Sequence, residues 1–358
     1  MKIVNIILTS QNGGAEQAFL DYASALKNLG HEILAVIKDD APYTDKVEEL
    51  GIEVKKVKNT FSYHDIFTSL SIKKILEEFD ADATLSHAGR SIVVTRRAIK
   101  KIKHKKIVEI AVNHSMNVKR SIGADIILSV NQPIFFKTID SGQSPDSSFS
   151  IPNAISMKNA IETTSKINLA EKEVITIGVM GRLDEAKGFI YAIKALKELE
   201  GLSDKKFKLK IAGLGPQETE LRELANTLDL KDKIEFLGWI EDRKEFFTSI
   251  DIFCMTSKRE TFGLVLLEAM KYRTPIISTD ADGPREILTN ESDSLIVNLE
   301  PEKNIEENLA KSIIRLTSET DLANLFIERS FKKLKEKFSY ASLENRLKYI
   351  VGSCKKDS

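Results

Sequence analysis

Cysteine is scarce in this chain of 358 residues, in which Cys254 and Cys354 are the two that occur. They lie far apart and lack the spacing of metal ligands, so they predict a reducing, cytoplasmic environment rather than a cysteine metal centre. Net charge is lacking too, because 53 basic residues balance 53 acidic ones. A chain without an overall positive field is not expected to bind nucleic acid.

Long apolar runs are also missing from the sequence. No stretch approaches the ~18 apolar residues of a membrane-spanning helix, so any membrane contact is predicted to be peripheral. The N-terminal segment MKIVNIILTSQNGG has too short an apolar part for a signal peptide. It predicts a buried first strand instead.

Strand-like and helical patterns alternate along the chain, in a composition typical of soluble globular proteins, with 42% hydrophobic and 30% charged residues. This alternation predicts an α/β fold with parallel sheets and helices on both faces. The strand candidates form two series, which are 2–8, 31–37, 81–87, 106–112 and 125–130, and then 174–180, 207–213, 233–238, 250–255 and 274–279.

The two series predict two Rossmann-like, doubly wound domains, and the chain length also suggests two. Residues 1–155 form the predicted first domain. Residues 156–335 form the second, which begins with a polar linker, and 336–358 form a helix that crosses back to the first domain. Ligands of such folds bind beyond the carboxyl ends of the strands, so we expect a central cleft between the domains to be the site.

Two cations follow a predicted buried strand in the second domain. Arg182 and Lys187 lie in GRLDEAKG, directly after the strand. Arginine grips phosphate oxygens with its planar fork and lysine adds a compact charge, so the pair suits a departing diphosphate. The alternative is a pair of ordinary surface cations, but their position after a buried strand favours a function.

Two carboxylates flank the start of a predicted helix in ETFGLVLLE. Glu260 precedes the helix, whose first turn offers the backbone N–H groups of Phe262, Gly263 and Leu264 to a phosphate oxygen. Glu268 lies in an otherwise apolar run and therefore needs a partner. Ribose hydroxyls would serve, and a nearby lysine or backbone group is the alternative.

A glycine pair follows the first predicted strand. Gly13 and Gly14 allow backbone N–H groups to approach a phosphate at the start of the next helix, although a plain glycine turn fits the pattern equally well. The loop lacks the lysine and the Ser/Thr of a Walker motif. A nicotinamide dehydrogenase is disfavoured because no G-x-G-x-x-G with a following acidic residue occurs.

Several of these segments together resemble the large retaining glycosyltransferase family numbered four. The resemblance is carried by GRLDEAKG, the spacing of Glu260 and Glu268, DADGPREIL (280–288), NGGAEQ near the N-terminus and IPNAI (151–155). It implies a GT-B fold with an acceptor-side first domain and a donor-binding second domain. It also implies a nucleoside diphosphate sugar as donor, with no cofactor and no required metal.

The resemblance implies a role for each matching residue. Arg182 and Lys187 would hold the diphosphate, Glu260 would bind hydroxyls of the donor sugar, and Glu268 would bind the ribose. His114, in AVNHSM, resembles the family's active-site histidine near the donor sugar. The predicted catalytic set is therefore Arg182, Lys187, Glu260 and His114, and the predicted donor-binding set is Gly13, Gly14, Phe262, Gly263, Leu264 and Glu268.

The chain departs from the family in some places. Arg273 stands where the family often has a glycine that ends the helix after Glu268, which predicts a strained left-handed residue. The acceptor side carries no readable motif, and His87 in LSHAGRS is a weaker candidate for acceptor contacts. Two Asp-Ala-Asp triplets, 80–82 and 280–282, have the oxygens for a cation, but we expect no metal site at either.

Residues 90–106 form a basic stretch, RSIVVTRRAIKKIKHKK, without an acidic residue. Its interleaved apolar residues predict an amphipathic helix, which could lie on an anionic membrane. The equally weighted alternative is a helix that packs on its own sheet and turns its cations to water.

The sequence therefore predicts a cytoplasmic retaining glycosyltransferase, with residues 90–106 as its candidate contact with the inner face of the membrane. Its donor would be a UDP-sugar, with a GDP-sugar as the alternative, and it would carry a hexose or an N-acetylhexosamine. The acceptor would be a glycan or lipid-linked sugar of the cell envelope. A non-catalytic sugar-nucleotide-binding or scaffold subunit of the same fold is the rival hypothesis.

Overall fold

The structure of the chain is a computed structural model that describes residues 1–11, 13–58, 63, 65–162 and 166–353. Asn12 of the glycine loop and Cys354 lie outside these residues. The chain divides into two compact units. Unit 1 comprises Met1–Ala154 and Phe338–Ser358, and unit 2 comprises Ile155–Lys337.

Unit 1 contains a parallel sheet covered by helices. Its strands are β1 (Lys2–Ile7), β2 (Glu32–Lys38), β3 (Glu53–Val57), β4 (Ala83–His87), β5 (Val108–Asn113), β6 (Ile126–Ser129) and β7 (Ser148–Ser150). The helices between them are α1 (Gly14–Asn28), α2 (Thr44–Glu49), α3 (Ile66–Glu78), α4 (Ala88–Ile99) and α5 (Gln132–Asp140). The central strands are almost wholly buried, which explains their continuous apolar runs.

Unit 2 repeats this plan. Its strands are β8 (Val174–Met180), β9 (Lys206–Ala212), β10 (Ile234–Gly238), β11 (Ile252–Met255), β12 (Ile276–Thr279) and β13 (Leu295–Val297). Its helices are α6 (Phe189–Leu202), α7 (Glu218–Thr227), α8 (Arg243–Thr248), α9 (Leu264–Lys271), α10 (Asp282–Ile287), α11 (Ile305–Ser318) and α12 (Thr320–Lys333).

Both sheets are doubly wound. The strand order is β3-β2-β1-β4-β5-β6-β7 in unit 1 and β10-β9-β8-β11-β12-β13 in unit 2, and the strands pair in parallel. The order reverses between β1 and β4 and again between β8 and β11. A reversal of this kind leaves a crevice at the carboxyl ends of the two strands, which is where open α/β sheets bind ligands.

The final helix, α13 (Tyr340–Ser353), belongs to unit 1 and follows a π-helical turn, Leu334–Phe338. It packs on α1 and contributes Leu343 and Leu347 to the core of that unit. Of the helices in the described ranges, none has both the length and the apolarity needed to cross a bilayer.

Of the two alternatives for the basic stretch 90–106, the structure matches the helix that packs on its own sheet. Ile92, Val94, Ala98 and Ile102 are buried in the core of unit 1. The Arg96 side chain is also used internally, because its Nε donates to Glu109 at 2.8 Å and its remaining nitrogens bind backbone carbonyls. The stretch therefore packs on its own sheet, and the side it turns to water is cationic.

Candidate functional site

Two loops of unit 2 meet at the point where its strand order reverses. One follows β8 and contains the three-residue 3-10 helix Glu185–Lys187, and the other follows β11. The N–H groups of Lys258 and Arg259 both donate to the Ala186 carbonyl, at 2.8 and 3.2 Å. The Thr256 hydroxyl donates to the Lys187 carbonyl at 3.0 Å. These bonds hold together two segments that are about seventy residues apart in sequence.

A glycine makes this close approach feasible. Gly188 has φ of 60°, in the left-handed region, and a Cβ there would lie 2.2 Å from the Thr256 carbonyl oxygen. Any side chain would therefore clash with backbone as well as strain the residue. The motif GRLDEAKG ends in glycine for this structural reason, whatever ligand the loop binds.

The joined loops bring Lys187 and Glu260 into an ion pair in which the Lys187 ammonium donates to Glu260 Oε2. The two side chains are 26% and 15% exposed, so the pair is partly shielded but reachable. Arg182 is adjacent in the β8 loop and 76% exposed, and its Nε donates to Asp184 at 2.6 Å. Of the predicted charged residues, Lys187 and Glu260 are thus paired directly, while Arg182 is turned to its own loop.

The start of α9 lies next to this pair in the chain. Gly263 precedes the helix with φ of 98°, Phe262 is buried, and Leu264 is the first helical residue. The start of α10 braces the segment, because Gly283 N–H donates to the Glu260 carbonyl at 2.8 Å. A Cβ at Gly283 would lie 2.6 Å from the Phe262 nitrogen. The glycine of DADGPREIL therefore allows backbone contact that fixes the residues before α9.

Glu268 lies on α9 and faces Arg243 of α8, with 3.7 Å between its Oε1 and the arginine Nε. Burial raises the pKa of the Glu268 carboxyl, and the nearby charges of Arg243 and Lys271 oppose that rise. The Glu268 carboxylate therefore has a protein partner, as the alternative prediction required, but the partner is an arginine rather than a lysine.

Arg243 and Trp239 are further candidate site residues that no sequence motif indicated. Trp239 follows β10 directly and is exposed, and the Arg243 guanidinium lies 5.5 Å from the centre of its ring. The signal that was available is that Trp239 is the single tryptophan of the chain and comes just after a predicted strand. An exposed aromatic ring beside a cation and a carboxylate is a surface on which a nucleobase could stack.

In unit 1, the glycine loop is closed by a carboxylate. Gly13 is the N-cap of α1, and its N–H donates to Glu16 Oε2 at 3.0 Å, while Thr9 donates to Glu16 Oε1 at 2.6 Å. Glu16 is buried. The Gly13 N–H therefore binds Glu16 in this structure instead of being directed to a ligand, and phosphate binding at Gly13 and Gly14 stays a prediction.

His114 and His87 form a stacked pair at the carboxyl ends of β5 and β4. His87 Nδ1 and His114 Nε2 are 3.1 Å apart, and the rings are 21° from parallel. Burial lowers the pKa of His114 to about 4 and lowers that of His87 well below its usual range, with help from His114. Both imidazoles are therefore neutral near pH 7, and a single proton lies between them.

The surroundings of His87 favour one arrangement of that proton. His87 is fully buried, nearly perpendicular to the rings of Phe19 and Tyr22, and its Nε2 has no hydrogen-bond partner among the described residues. An unpaired buried acceptor costs less than an unpaired N–H. This favours His87 Nδ1–H as the donor to His114 Nε2, which leaves His114 with its own proton on Nδ1.

Arg273 has the left-handed conformation predicted for it, with φ of 55°. Its buried guanidinium offsets the strain, because it donates to the carbonyls of Ile161 and Glu162 at 2.6 Å and pairs with Glu328. Within the described ranges, no three His, Cys, Asp or Glu side chains are grouped as a metal site would require. Asp280 accepts hydrogen bonds from Arg285 and the backbone.

Comparison with known proteins relates the chain to sugar transferases. Residues 160–333 match the sequence model of the family described as glycosyl transferases group 1. The lipopolysaccharide core biosynthesis glycosyltransferase LpsE of Rhizobium meliloti is 29% identical over 174 residues, which are 49% of this chain and 48% of LpsE. Its counterpart LpsD, from the same organism, is 24% identical over 342 residues, or 95% and 94% of the two chains. The chain thus spans about half of LpsE and nearly all of LpsD.

Solved structures confirm the predicted fold class of two parallel-sheet α/β domains, that of GT-B glycosyltransferases. Anabaena HepE in complex with UDP has a TM-score of 0.84 at 18% identity, covering 99% of this chain and 100% of HepE. HepE in complex with UDP-glucose has a TM-score of 0.81 at 19% identity with the same coverage. The likeness of fold therefore extends over almost the whole chain.

Proposed function

We propose that this chain is a retaining glycosyltransferase of the family numbered four, which transfers a sugar from a nucleoside diphosphate sugar. The observation that carries the proposal is the partly shielded Lys187–Glu260 ion pair between the two loops at the strand-order reversal of unit 2. An ion pair that served only to stabilise the fold could lie anywhere in the unit. This pair lies at the carboxyl ends of β8 and β11, where this fold binds ligands.

A bound donor could replace the contact between Lys187 and Glu260 without leaving either charge buried and unpaired. The diphosphate would take the Lys187 ammonium from Glu260, with Arg182 and the N-terminal turn of α9 as further positive groups. Glu260 would then accept hydrogen bonds from hydroxyls of the donor sugar. Because these groups provide the positive charge that the leaving diphosphate needs, we propose that the reaction requires no metal and no cofactor.

The nucleoside would bind beside Glu268. Its carboxylate faces Arg243 and is suited to ribose hydroxyls, while Trp239 offers the base a flat apolar surface. We propose UDP as the nucleotide, supported by the HepE complexes with UDP and UDP-glucose, and GDP is the alternative.

Retention would follow from attack on the same face of the sugar that the diphosphate leaves. The leaving phosphate would take the proton of the acceptor hydroxyl, and the protein would contribute positioning and charge stabilisation. His114 would donate from Nδ1 to a hydroxyl of the donor sugar. A neutral imidazole suits this role, since a cation would compete for the diphosphate.

The acceptor would be a glycan or lipid-linked sugar of the cell envelope, and the sugar transferred would be a hexose or an N-acetylhexosamine. The names of LpsE and LpsD support an envelope acceptor. We place the reaction in the cytoplasm, where nucleotide sugars are available and cysteines remain reduced.

A thermal-shift series with UDP-, GDP-, ADP- and dTDP-sugars tests donor binding, because a ligand that binds the native state raises its melting temperature. We expect UDP-sugars to give the largest rise. Glu268→Gln should reduce that rise strongly. The matched control Glu198→Gln, on the exposed side of α6, should leave it unchanged. If no sugar nucleotide raises the melting temperature, the proposal fails.

The rival hypothesis is a non-catalytic sugar-nucleotide-binding subunit, and it makes a different prediction in the same preparation. A transferase hydrolyses its donor slowly without acceptor, since water can replace the acceptor hydroxyl. Release of UDP from the best-binding UDP-sugar would therefore support catalysis. Tight binding with no release of UDP, with or without membrane-extracted glycans, would favour the binding subunit.

A further inference from the structure

Three large apolar side chains are exposed together at the start of α3, on a part of unit 1 that the proposed transferase chemistry does not use. Phe67 is 75% exposed, Ile66 60% and Leu70 46%. Single exposed apolar residues are ordinary on soluble proteins, but three within five positions form a patch. Such a patch indicates an interaction surface.

Helix periodicity places these side chains on one side of α3. Residues three and four positions apart share a helix face, so Leu70 lies beside both Phe67 and Ile66. The opposite side of α3 already has its core contacts, because Ile72 and Leu76 are fully buried. The exposed patch is therefore separate from the face of α3 that packs on the core, and the core does not require it.

Cations lie beside the apolar patch, on the side of Phe67. A groove of about 520 Å³ runs between α3 and the edge strand β3, and its charged lining consists of four lysines and one glutamate, which are Lys55, Lys56, Lys58, Lys74 and Glu78. Phe67 lines the same groove. We call these lysines, with Ile66, Phe67 and Leu70, the α3–β3 face.

Lys55 of this face pairs with Glu53 at 2.7 Å, in an exposed ion pair that an external anion could replace at low cost. Lys56 and Lys58 form no ion pair with any residue in the described part of the chain. Lys74 lies 3.5 Å from Glu78, and both side chains are mostly exposed. Exposed pairs of this kind contribute little to stability, so an anionic surface could replace Glu78 at low cost.

Lysines on an edge strand also have a simpler use, because they discourage pairing with the edge of another sheet. That use explains lysines on β3. It does not explain the apolar residues on α3, which increase the tendency to associate. Apolar side chains with cations beside them are what a surface needs to rest on anionic lipid, since the apolar groups enter the interface and the cations attract the headgroups.

We propose that unit 1 docks on anionic lipid membranes through the α3–β3 face, with Ile66, Phe67 and Leu70 in the interface and the lysines against lipid phosphates. The proposal does not depend on the transferase reaction, because it requires neither donor nor acceptor. It also differs from docking through residues 90–106, most of whose apolar residues are buried in the core.

Vesicle flotation of the full chain tests the proposal. We expect the chain to float with vesicles of phosphatidylcholine and phosphatidylglycerol at low salt, and not with phosphatidylcholine alone. The double variant Lys56→Glu/Lys58→Glu should lower the bound fraction at least ~10-fold, from the loss of electrostatic attraction. Phe67→Ser/Leu70→Ser should lower it by a similar factor, about 10-fold, because apolar area no longer enters the interface.

Two matched controls change the same chemistry elsewhere on unit 1. Phe136→Ser removes another exposed aromatic side chain, and Lys100→Glu/Lys101→Glu reverses two exposed lysines of the basic stretch. Both controls should float like the wild type. The proposal is overturned if the wild type ignores anionic vesicles at low salt, or if the Lys100/Lys101 variant loses binding while the Lys56/Lys58 variant keeps it. It is also overturned if Phe67→Ser/Leu70→Ser only dissociates a dimer.

Discussion

The two units share one strand order but place different side chains at the carboxyl ends of their strands. In unit 2 the carboxyl ends of β8 and β11 carry charges in pairs, Lys187 with Glu260 and, nearby, Arg243 with Glu268. In unit 1 the ends of β4 and β5 carry two neutral histidines. The fold alone therefore does not determine the chemistry, which comes from the side chains placed at these strand ends.

This difference suggests a division of labour. Paired charges can separate and bind a charged ligand, so unit 2 suits a diphosphate. Neutral hydrogen-bonding groups suit a sugar or an acceptor hydroxyl, which bring no charge. Four experiments test this comparison.

The largest effect should come from Lys187→Ala, which removes the cation that we propose binds the diphosphate in unit 2. We expect turnover of a UDP-sugar to fall roughly 10²–10³-fold, as for loss of a preorganised charge at a leaving group. The free energy of unfolding should change by less than about 2 kcal/mol, because water can reach the Glu260 left behind.

Lys197→Ala is the matched control for this change, since Lys197 forms an exposed ion pair with Glu200 within helix α6. It should leave turnover unchanged. Wild-type turnover in the Lys187 variant would show that the ion pair has only a structural role, and the proposed function of unit 2 would fail.

A second experiment compares one left-handed glycine from each unit. Gly188→Ala should lower the free energy of unfolding by about 3 kcal/mol or more, because the new methyl group would meet the Thr256 carbonyl as well as strain the backbone. Gly30→Ala in unit 1 should cost only about 1 kcal/mol, since φ is 81° there but no atom lies within 4 Å of the added carbon. Equal losses in urea unfolding would show that contact between the β8 and β11 loops contributes nothing.

The two motif glycines also show which features of the site could be predicted from the sequence and which could not. Gly188 and Gly283 were recognised as parts of motifs, but their motifs say nothing of the carbonyl and the nitrogen that they meet. Those atoms belong to segments far along the chain, and only the strand order brings them close. Sequence patterns thus predicted the fold class and the residues at the strand ends, while the pairing of Lys187 with Glu260 required the tertiary structure.

Other features were missed or left open for identifiable reasons. The strand β3 was not predicted, because an edge strand reading EVKKV lacks the apolar run of a buried strand. The stretch 90–106 has the pattern of a membrane-surface helix, but an amphipathic pattern alone does not reveal whether its apolar side meets lipid or its own sheet. Arg243 belongs to no motif, and its role depends on contact with Glu268.

A third experiment asks whether Asp21, one of the buried acids of unit 1, is kept neutral by protonation rather than paired with a cation as Glu260 and Glu268 of unit 2 are. Asp21 is buried on α1 and accepts hydrogen bonds from Tyr340 and Gln17. Burial raises its pKa to about 7. The unfolded value is about 3.9, so the folded state holds a proton that the unfolded state releases, and stability falls as pH rises from about 4 through 7.

We therefore expect the free energy of unfolding to fall by about 2–3 kcal/mol more in the wild type than in Asp21→Asn between about pH 5 and 8. Urea unfolding at both pH values measures this, and the variant cancels the contribution of other titrating groups. The same pH dependence in both proteins would mean that Asp21 is ionised in the folded state, and the contrast between the units would lose this support.

The smallest effect should come from His114, the neutral hydrogen-bonding group of unit 1. His114→Ala should lower turnover about 10-fold, the size expected for one neutral hydrogen bond to the donor sugar. Because the pKa of His114 is lowered to about 4, the group does not change charge near neutral pH, and its removal should leave the pH profile of turnover unaltered in shape between about pH 5.5 and 8. His104→Ala, at an exposed histidine of the same unit, should be silent in turnover.

Nitrogen chemical shifts of the imidazoles then distinguish positioning from chemistry, since the pairing with His87 predicts the proton of His114 on Nδ1. A proton on Nε2, or a turnover profile that gains a step near pH 6 when His114 is present, would mean that unit 1 contributes a titrating group to the reaction. The histidines of unit 1 would then act as acid–base groups rather than as neutral hydrogen-bonding groups.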